Sequence, residues 1–195
     1  MVYLFTIKVN VMKEYNVRIG LRGIAPLRQN RLFSQSVGDG KKKTEEDRRK
    51  EGWERSYRIP DGKGGFIYYV PTRALKKVAV LGSTGLKIGK KGVPKLMAAL
   101  YFPQWEPPAA IVGSEPQLVH DFVRIPPGPK GVMIEKWWVA FEKWYIEFIG
   151  TVFTTVELFP PSILESAYKE AGVLRGLLDG RPDLGRFQVE KFELL

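Results

Sequence analysis

The sequence predicts an α+β domain, a ferredoxin-like (RRM-like) β-α-β-β-α-β core with a β-hairpin and basic loop insertions. Three observations predict it. Residues 15–23 alternate, with Val17, Ile19 and Leu21 on one side and Arg18, Gly20 and Arg22 on the other, as in a half-buried strand. Residues 73–81 and 163–171 read as helices, the first with Leu75, Val78 and Ala79 turned inward. Residues 144–156 are β-branched and aromatic, a central strand, and residues 186–192 form a closing one. In this order two helices cover one sheet face and leave the other free. A length of 195 residues with 44% hydrophobic content fits a single domain, 1–195, in which residues 34–65 are a charged insertion and hairpin.

The elements follow in order. Residues 1–11 are apolar but carry Lys8 and are too short to span a membrane. They lack the basic start and small-residue cleavage site of a signal peptide, and read as a strand or an extension ahead of a domain beginning near Met12. After the first strand the chain turns at Ala25-Pro26. Residues 34–52 run from Lys41-Lys42-Lys43 through Glu45-Glu46-Asp47 to Arg48-Arg49-Lys50. This is either a solvated helix laced with i,i+4 pairs or a mobile basic loop, and a partly flexible surface insertion covers both. Residues 53–59 and 66–70 form a hairpin around the glycine-rich turn 60–65.

Pro71-Thr72 caps the first helix. Residues 82–92 are a second basic loop, and 95–102 fit helix or strand alike. Residues 103–116 are Pro-rich and irregular. Strands at 118–125 and 133–138 flank a turn at 126–131. Pro160-Pro161-Ser162 opens the second helix, with Glu165 three residues after a Ser162 N-cap, the pattern of a capping box.

Composition narrows the chemistry. The chain has no cysteine, which excludes disulfides, thiolate metal sites and cysteine nucleophiles. Its single histidine, His120, argues against histidine zinc sites and a Ser-His-Asp triad. Scarce Asn and Gln beside abundant Lys, Arg and Glu lean towards a thermophilic source. Lys and Arg number 31 against 21 Asp and Glu, a formal charge of +10, which favours an anionic partner, nucleic acid first. No cofactor is expected, and the expected setting is soluble and intracellular.

Candidate contacts fall into two chemical sets. For phosphate, Arg18 and Arg22 stand on the open side of the first strand, with Arg28 and Arg31 beyond it. Lys87, Lys90 and Lys91 form a second wall. Arg181 and Arg186 belong to a loop that also holds Gly172, Gly176, Gly180 and Gly185, where glycine lets the backbone bend and leaves N–H groups uncovered. For base stacking, Trp53, Tyr57, Tyr68, Tyr69, Trp137 and Trp138 lie in predicted strands near basic residues. Strand neighbours point to opposite faces, so one of Trp137 and Trp138, and one of Tyr68 and Tyr69, is expected outside the core.

Other motifs carry less. Residues 85–91 miss the Walker spacing by one residue and no Ser or Thr follows the lysine. His120-Asp121 has no further metal ligands in sequence, and Asp179 and Asp183 are expected to brace Arg175, Arg181 or Arg186. No catalytic residue is nominated.

These residues resemble the RAMP superfamily, the ferredoxin-like proteins of CRISPR ribonucleoprotein backbones and their viral relatives. The resemblance rests on Val17–Gly23 leading into Ala25-Pro26-Leu27, on Asp61-Gly62 through Phe66–Val70 into Pro71, Ala74 and Leu75, and on the terminal Gly172…Gly176…Gly180-Arg181-Pro182…Gly185-Arg186-Phe187. It covers the chain from about Met12 onwards, and points first to thermostable single-stranded-DNA-binding proteins of hot-spring viruses. It implies binding of single-stranded nucleic acid through the sheet face and the glycine-rich loop. Some members are nucleases with an early histidine, and residues 1–61 contain none.

The expectation is a non-enzymatic, sequence-nonspecific binder of single-stranded nucleic acid, DNA favoured over RNA, with no membrane partner. The alternatives are a CRISPR-type RAMP RNA-binding subunit or RNA endonuclease, and a structural or interaction protein.

Overall fold

The computed structural model describes residues 13–31, 43–125 and 132–195. The expected N-terminal strand, the first part of the charged insertion and the turn at 126–131 lie outside the described residues.

The strands and helices run β1 (Tyr15–Gly23), β2 (Leu27–Gln29), α1 (Glu45–Glu54), β3 (Arg58–Pro60), β4 (Phe66–Val70), α2 (Thr72–Gly82), β5 (Lys87–Ile88), β6 (Lys91–Gly92) and α3 (Val93–Leu100). There follow β7 (Tyr101–Pro103), β8 (Ala109–Ala110), β9 (Val112–Gly113), β10 (Gln117–Ile125), β11 (Val132–Phe141), β12 (Trp144–Val152), α4 (Pro161–Leu174) and β13 (Phe187–Leu194). The result is a mixed α/β protein with antiparallel sheets. Its main sheet has the order β13-β1-β12-β7, with β9 also pairing β12. A second sheet, β10-β11-β2, stands beside it, and β3-β4-β8 forms a third.

Alternation in β1 decides the core. Val17, Ile19 and Leu21 are fully buried, and their β12 partners Ile146 and Phe148 join them on the helix side. The same alternation places Arg18 and Arg22 on the opposite face. Helices α2 and α4 cross closely because Gly82 has no side chain: a Cβ there would lie 2.0 Å from the Ala167 carbonyl oxygen. Below them Tyr101 and Tyr168 are fully buried with their hydroxyls 2.9 Å apart. Tyr168 donates to the Leu75 carbonyl at 3.1 Å, so Tyr101 donates to Tyr168, and both buried hydroxyls are satisfied.

Helix α1 answers the question posed by the charge run. Its sequence has almost no apolar face, and its start is fixed by a capping box in which the Thr44 hydroxyl accepts from Asp47 N–H and Asp47 accepts from Thr44 N–H. Acidic residues fill its first turn, complementing the dipole, and Glu51 pairs with Arg55 one turn on. Gly52 lets it seat on the second sheet, since a Cβ would stand 2.8 Å from the Trp137 Cβ.

Several expectations are corrected. Trp53 belongs to α1, not to a strand, because the helix runs through Glu54 before the hairpin begins. The expected capping box at Ser162 does not form: α4 starts two residues earlier, with Pro160 as N-cap and no side-chain cap. Thr72 likewise lies inside α2, after Pro71. The segment read as helix or strand is both, helix α3 followed directly by β7.

Candidate nucleic-acid interface

The free face of the main sheet is a lattice of ion pairs. Arg18 lies 3.6 Å from Glu147 and 3.5 Å from Glu193. Arg22 is held by both carboxylate oxygens of Glu190 and its guanidinium covers the Tyr145 ring. Lys191 reaches Glu147 and Glu193 at 3.5 and 3.7 Å. Three cations and three carboxylates therefore cancel, and a phosphate approaching Arg18 or Arg22 must compete with a carboxylate already in place. The aromatic residues nominated for stacking are not on this face. They lie on α1, on β11 and around the β3–β4 hairpin.

The glycine-rich loop after α4 is a clasp. Gly185 donates its N–H to Pro26 O at 2.8 Å, Leu177 donates to Gly185 O at 2.8 Å, and Asp179 donates to Arg28 O at 3.2 Å. Gly176 and Gly185 adopt φ of 67° and 68°, a region open chiefly to glycine, and a Cβ on either would strike backbone within 2.4 Å. Of the glycine N–H groups expected to be uncovered, that of Gly185 fastens the loop to the β1–β2 turn and that of Gly176 closes the end of α4, while the Asp179 N–H ties the loop to β2. What the loop offers outward is side chains.

Those side chains meet the second sheet. Trp138 of β11 is 3% exposed and donates its indole N–H to Asp179 Oδ2 at 2.6 Å. Arg28 of β2 stands 5.1 Å from the Trp138 ring centre, and the Lys136 ammonium stands 5.3 Å from it. Arg28 has one distant carboxylate, Asp121 at 3.8 Å. Burial lowers the Lys136 pKa, partly countered by Asp179. The outward wall continues through Arg175, Gly180, Arg181 and Leu81, which line an open cleft between α2 and the loop. Arg186 is turned back on the loop, its Nε donating to Pro182 O at 2.9 Å.

Expected partners of Asp179 are corrected here: it takes the Trp138 indole rather than Arg175, Arg181 or Arg186, because the loop's hydrogen bond to β2 aims its carboxylate at β11.

The other face of β11 lies under α1. Trp137 stacks on His120, ring centres 4.5 Å apart and 25° from parallel, and Arg49 lies 5.4 Å from the Trp137 ring. Glu135 stands between Arg48 at 3.3 Å and His120 Nδ1 at 3.4 Å. Trp137 is thus half-buried and Trp138 buried, as alternation requires, and Trp138 offers no ring face to a base. Tyr57 is also buried, its ring edge-on to Tyr69, with its hydroxyl accepting from Arg73 at 3.0 Å. Tyr68 packs edge-on against Phe141. Both rings are structural, and Tyr69 keeps partial exposure. Trp53 packs partly against the core beside Arg49 and Lys50. Lys87, Lys90 and Lys91 are exposed on the separate β5–β6 hairpin, and among the described residues none has a carboxylate partner. Arg31 is exposed after β2, its N–H bonded to Arg55 O at 2.6 Å.

Lys136 and Arg49 went unnominated. Lys136 was findable: two residues before Trp138 on one strand, it must share that side chain's face. Arg49 was not, since its position depends on how α1 docks. Among the described residues no group of three His, Asp or Glu side chains is placed to hold a metal ion. No helix among them is long and apolar enough to cross a membrane.

No protein-family model matches the sequence, and no curated protein matches it. Its fold does have counterparts. A chain of Type III-B Cmr-beta, solved by cryo-EM bound to cognate target RNA, superposes with a TM-score of 0.51 at 15% identity over 94% of this chain. The present chain spans 61% of that chain's length. Cmr6 from Pyrococcus furiosus, a crystal structure, gives a TM-score of 0.45 at 13% identity, covering 91% of this chain and 98% of that one. The first likeness is one of fold alone and agrees with the fold that the sequence resemblance implies. Neither likeness bears on its viral, single-stranded-DNA-binding branch.

Proposed function

We propose that the chain is a non-enzymatic RAMP-like subunit that binds single-stranded nucleic acid, with RNA rather than DNA as its strand. The core is read as ferredoxin-like: β1 and β7 flank α2 and α3 in sequence, β12 and β13 flank α4, and the sheet order is β13-β1-β12-β7. The observation that carries the reading is the likeness in fold to a chain of Cmr-beta, which holds cognate target RNA. Supporting it, Arg28 and Lys136 flank the fixed Trp138 ring on the second sheet, and Arg175 and Arg181 line the cleft that the clasp forms beyond Asp179. The free sheet face, by contrast, is already neutralised. The strand therefore runs along the second sheet and the loop, with phosphates on these cations and stacking on the half-exposed Tyr69.

The test is a titration of labelled single-stranded RNA, single-stranded DNA of the same sequence, and duplex RNA. Single-stranded RNA is expected to bind tightest, leaving the strand intact, with a log–log salt slope on the order of −4 for about six phosphate contacts. Tighter binding of DNA overturns the choice of strand, cleavage of the RNA overturns the non-enzymatic reading, and no complex at low salt overturns the function.

A further inference from the structure

We propose that β13 is a self-association edge, on which two copies of this chain pair antiparallel about a two-fold axis between Glu190 and Lys191. Strand β13 ends the main sheet, and among the described residues nothing pairs with its outer edge. Against β1 the register steps from Gly20↔Lys191 to Leu21↔Val189, so Glu190 is an extra residue, a β-bulge.

The bulge gives the strand an unusual symmetry. Phe187 is buried, Val189 and Phe192 pack against the core, and Leu194 pairs beside buried Val17, so these four belong to the helix side. Gln188, opposite Arg22, and Glu190, Lys191 and Glu193, in the ion-pair lattice, belong to the free face. From residue 187 to 194 the sides read in, out, in, out, out, in, out, in, a palindrome centred on the bulge. A strictly alternating strand has no such centre between two residues, because antiparallel partners must share a face.

Turned about this centre, every residue meets one of its own side and of fitting chemistry. Glu190 of each copy faces Lys191 of the other, Gln188 faces Glu193, Val189 faces Phe192, and Phe187 faces Leu194. Opposite charges and apolar pairs at facing positions are the stabilising combinations of antiparallel strands. Leu194, now 55% exposed, would be covered.

The backbone agrees. Leu195 N–H bonds inward to Asn16 O at 2.9 Å, so Leu194 and, by alternation, Phe192 direct their N–H and C=O outward. At the other end Arg186 O accepts from Ile24, which turns Phe187 and Val189 outward. The pairs Phe187–Leu194 and Val189–Phe192 are then the hydrogen-bonded ones, and the charged pairs fall between them.

Sedimentation of the full chain at micromolar concentration is expected to give a dimer. Val189→Pro removes an outward N–H, which an edge strand tolerates, and is expected to give a monomer with an unchanged circular dichroism spectrum. Because the chain has no cysteine, the register can be read directly. A mixture of Gln188→Cys and Glu193→Cys proteins is expected to cross-link on mild oxidation, since non-hydrogen-bonded partners lie about 4.5 Å apart at Cα, and neither variant alone should do so. A monomeric wild type overturns the proposal. So does a dimer that survives Val189→Pro, or self-linking of Gln188→Cys. Should Val189→Pro fail to fold, the cysteine mixture decides alone.

Discussion

Trp138 gives its indole N–H to Asp179 across 2.6 Å, and Asp179 gives its backbone N–H to Arg28 at 3.2 Å. One loop residue thereby ties β11 to β2 and sets the ring over which Arg28 and Lys136 sit. Trp138→Phe keeps an aromatic ring at the site but removes the N–H donor and part of the buried indole. It is expected to lower stability by about 1.5–3 kcal/mol, the range for a hydrogen bond to a charged group, as read by denaturant unfolding. Asp179→Asn keeps an acceptor and should cost about half as much. A neutral Trp138→Phe would show that the loop is held elsewhere.

The two arginine sets are predicted to separate. Arg28→Ala with Arg181→Ala should flatten the salt dependence of RNA binding by about 0.7 for each phosphate no longer neutralised. Arg18→Ala with Arg22→Ala should leave the slope nearly unchanged, because these side chains already face Glu147, Glu190 and Glu193. Equal effects from both pairs would return the strand to the sheet face.

Gln29 is fully buried and bridges two elements: its Nε2 donates to Tyr69 O at 3.0 Å and its Oε1 accepts from Tyr57 N at 2.9 Å. Gln29→Leu strands both backbone groups, and at about 1–3 kcal/mol each the variant should be among the least stable of the single changes. Thermal melting measures it.

These contrasts mark what was legible. Alternation in Tyr15–Gly23 located the first strand at both ends and put Arg18 and Arg22 on the correct face, because a side-chain period of two is local information. The neighbours on that face were not legible. Glu147 and Glu193 lie more than a hundred residues away in sequence, and only pairing brings them to Arg18. The same holds for Asp179, whose partner was set by the loop's attachment to β2. Trp53 was misplaced because the charge run before it hides a helix stabilised by caps and pairs instead of by an apolar stripe.

Gly82→Ala is predicted to destabilise by about 1–3 kcal/mol, the usual cost of overpacking, since its new methyl meets the rigid Ala167 carbonyl, not a mobile side chain. Chemical denaturation checks it, and an unperturbed midpoint would mean that α2 and α4 slide apart freely.

Burial raises the hydroxyl pKa of Tyr15 from 10.0 to about 12, and burial likewise pushes Tyr101 and Tyr168 well above the usual tyrosine value. Unfolded tyrosine ionises near 10, so the unfolded state loses these protons first. Their contribution to stability is complete below about pH 10 and declines as pH rises towards the folded values. Melting temperature should fall across that window, with tyrosinate absorbance rising late and together with unfolding.

The balanced charge of the main sheet's free face has an effect beyond contact. With Arg18, Arg22 and Lys191 cancelled by Glu147, Glu190 and Glu193, this face contributes nothing net to the chain's formal +10. Charge so distributed gives the molecule an electric dipole as well as a net charge. A polyanion then exerts torque on it at a distance of a Debye length or so, turning it before the surfaces touch. The neutral face becomes the trailing side of each encounter, and so stays open for a protein neighbour while the leading side is engaged.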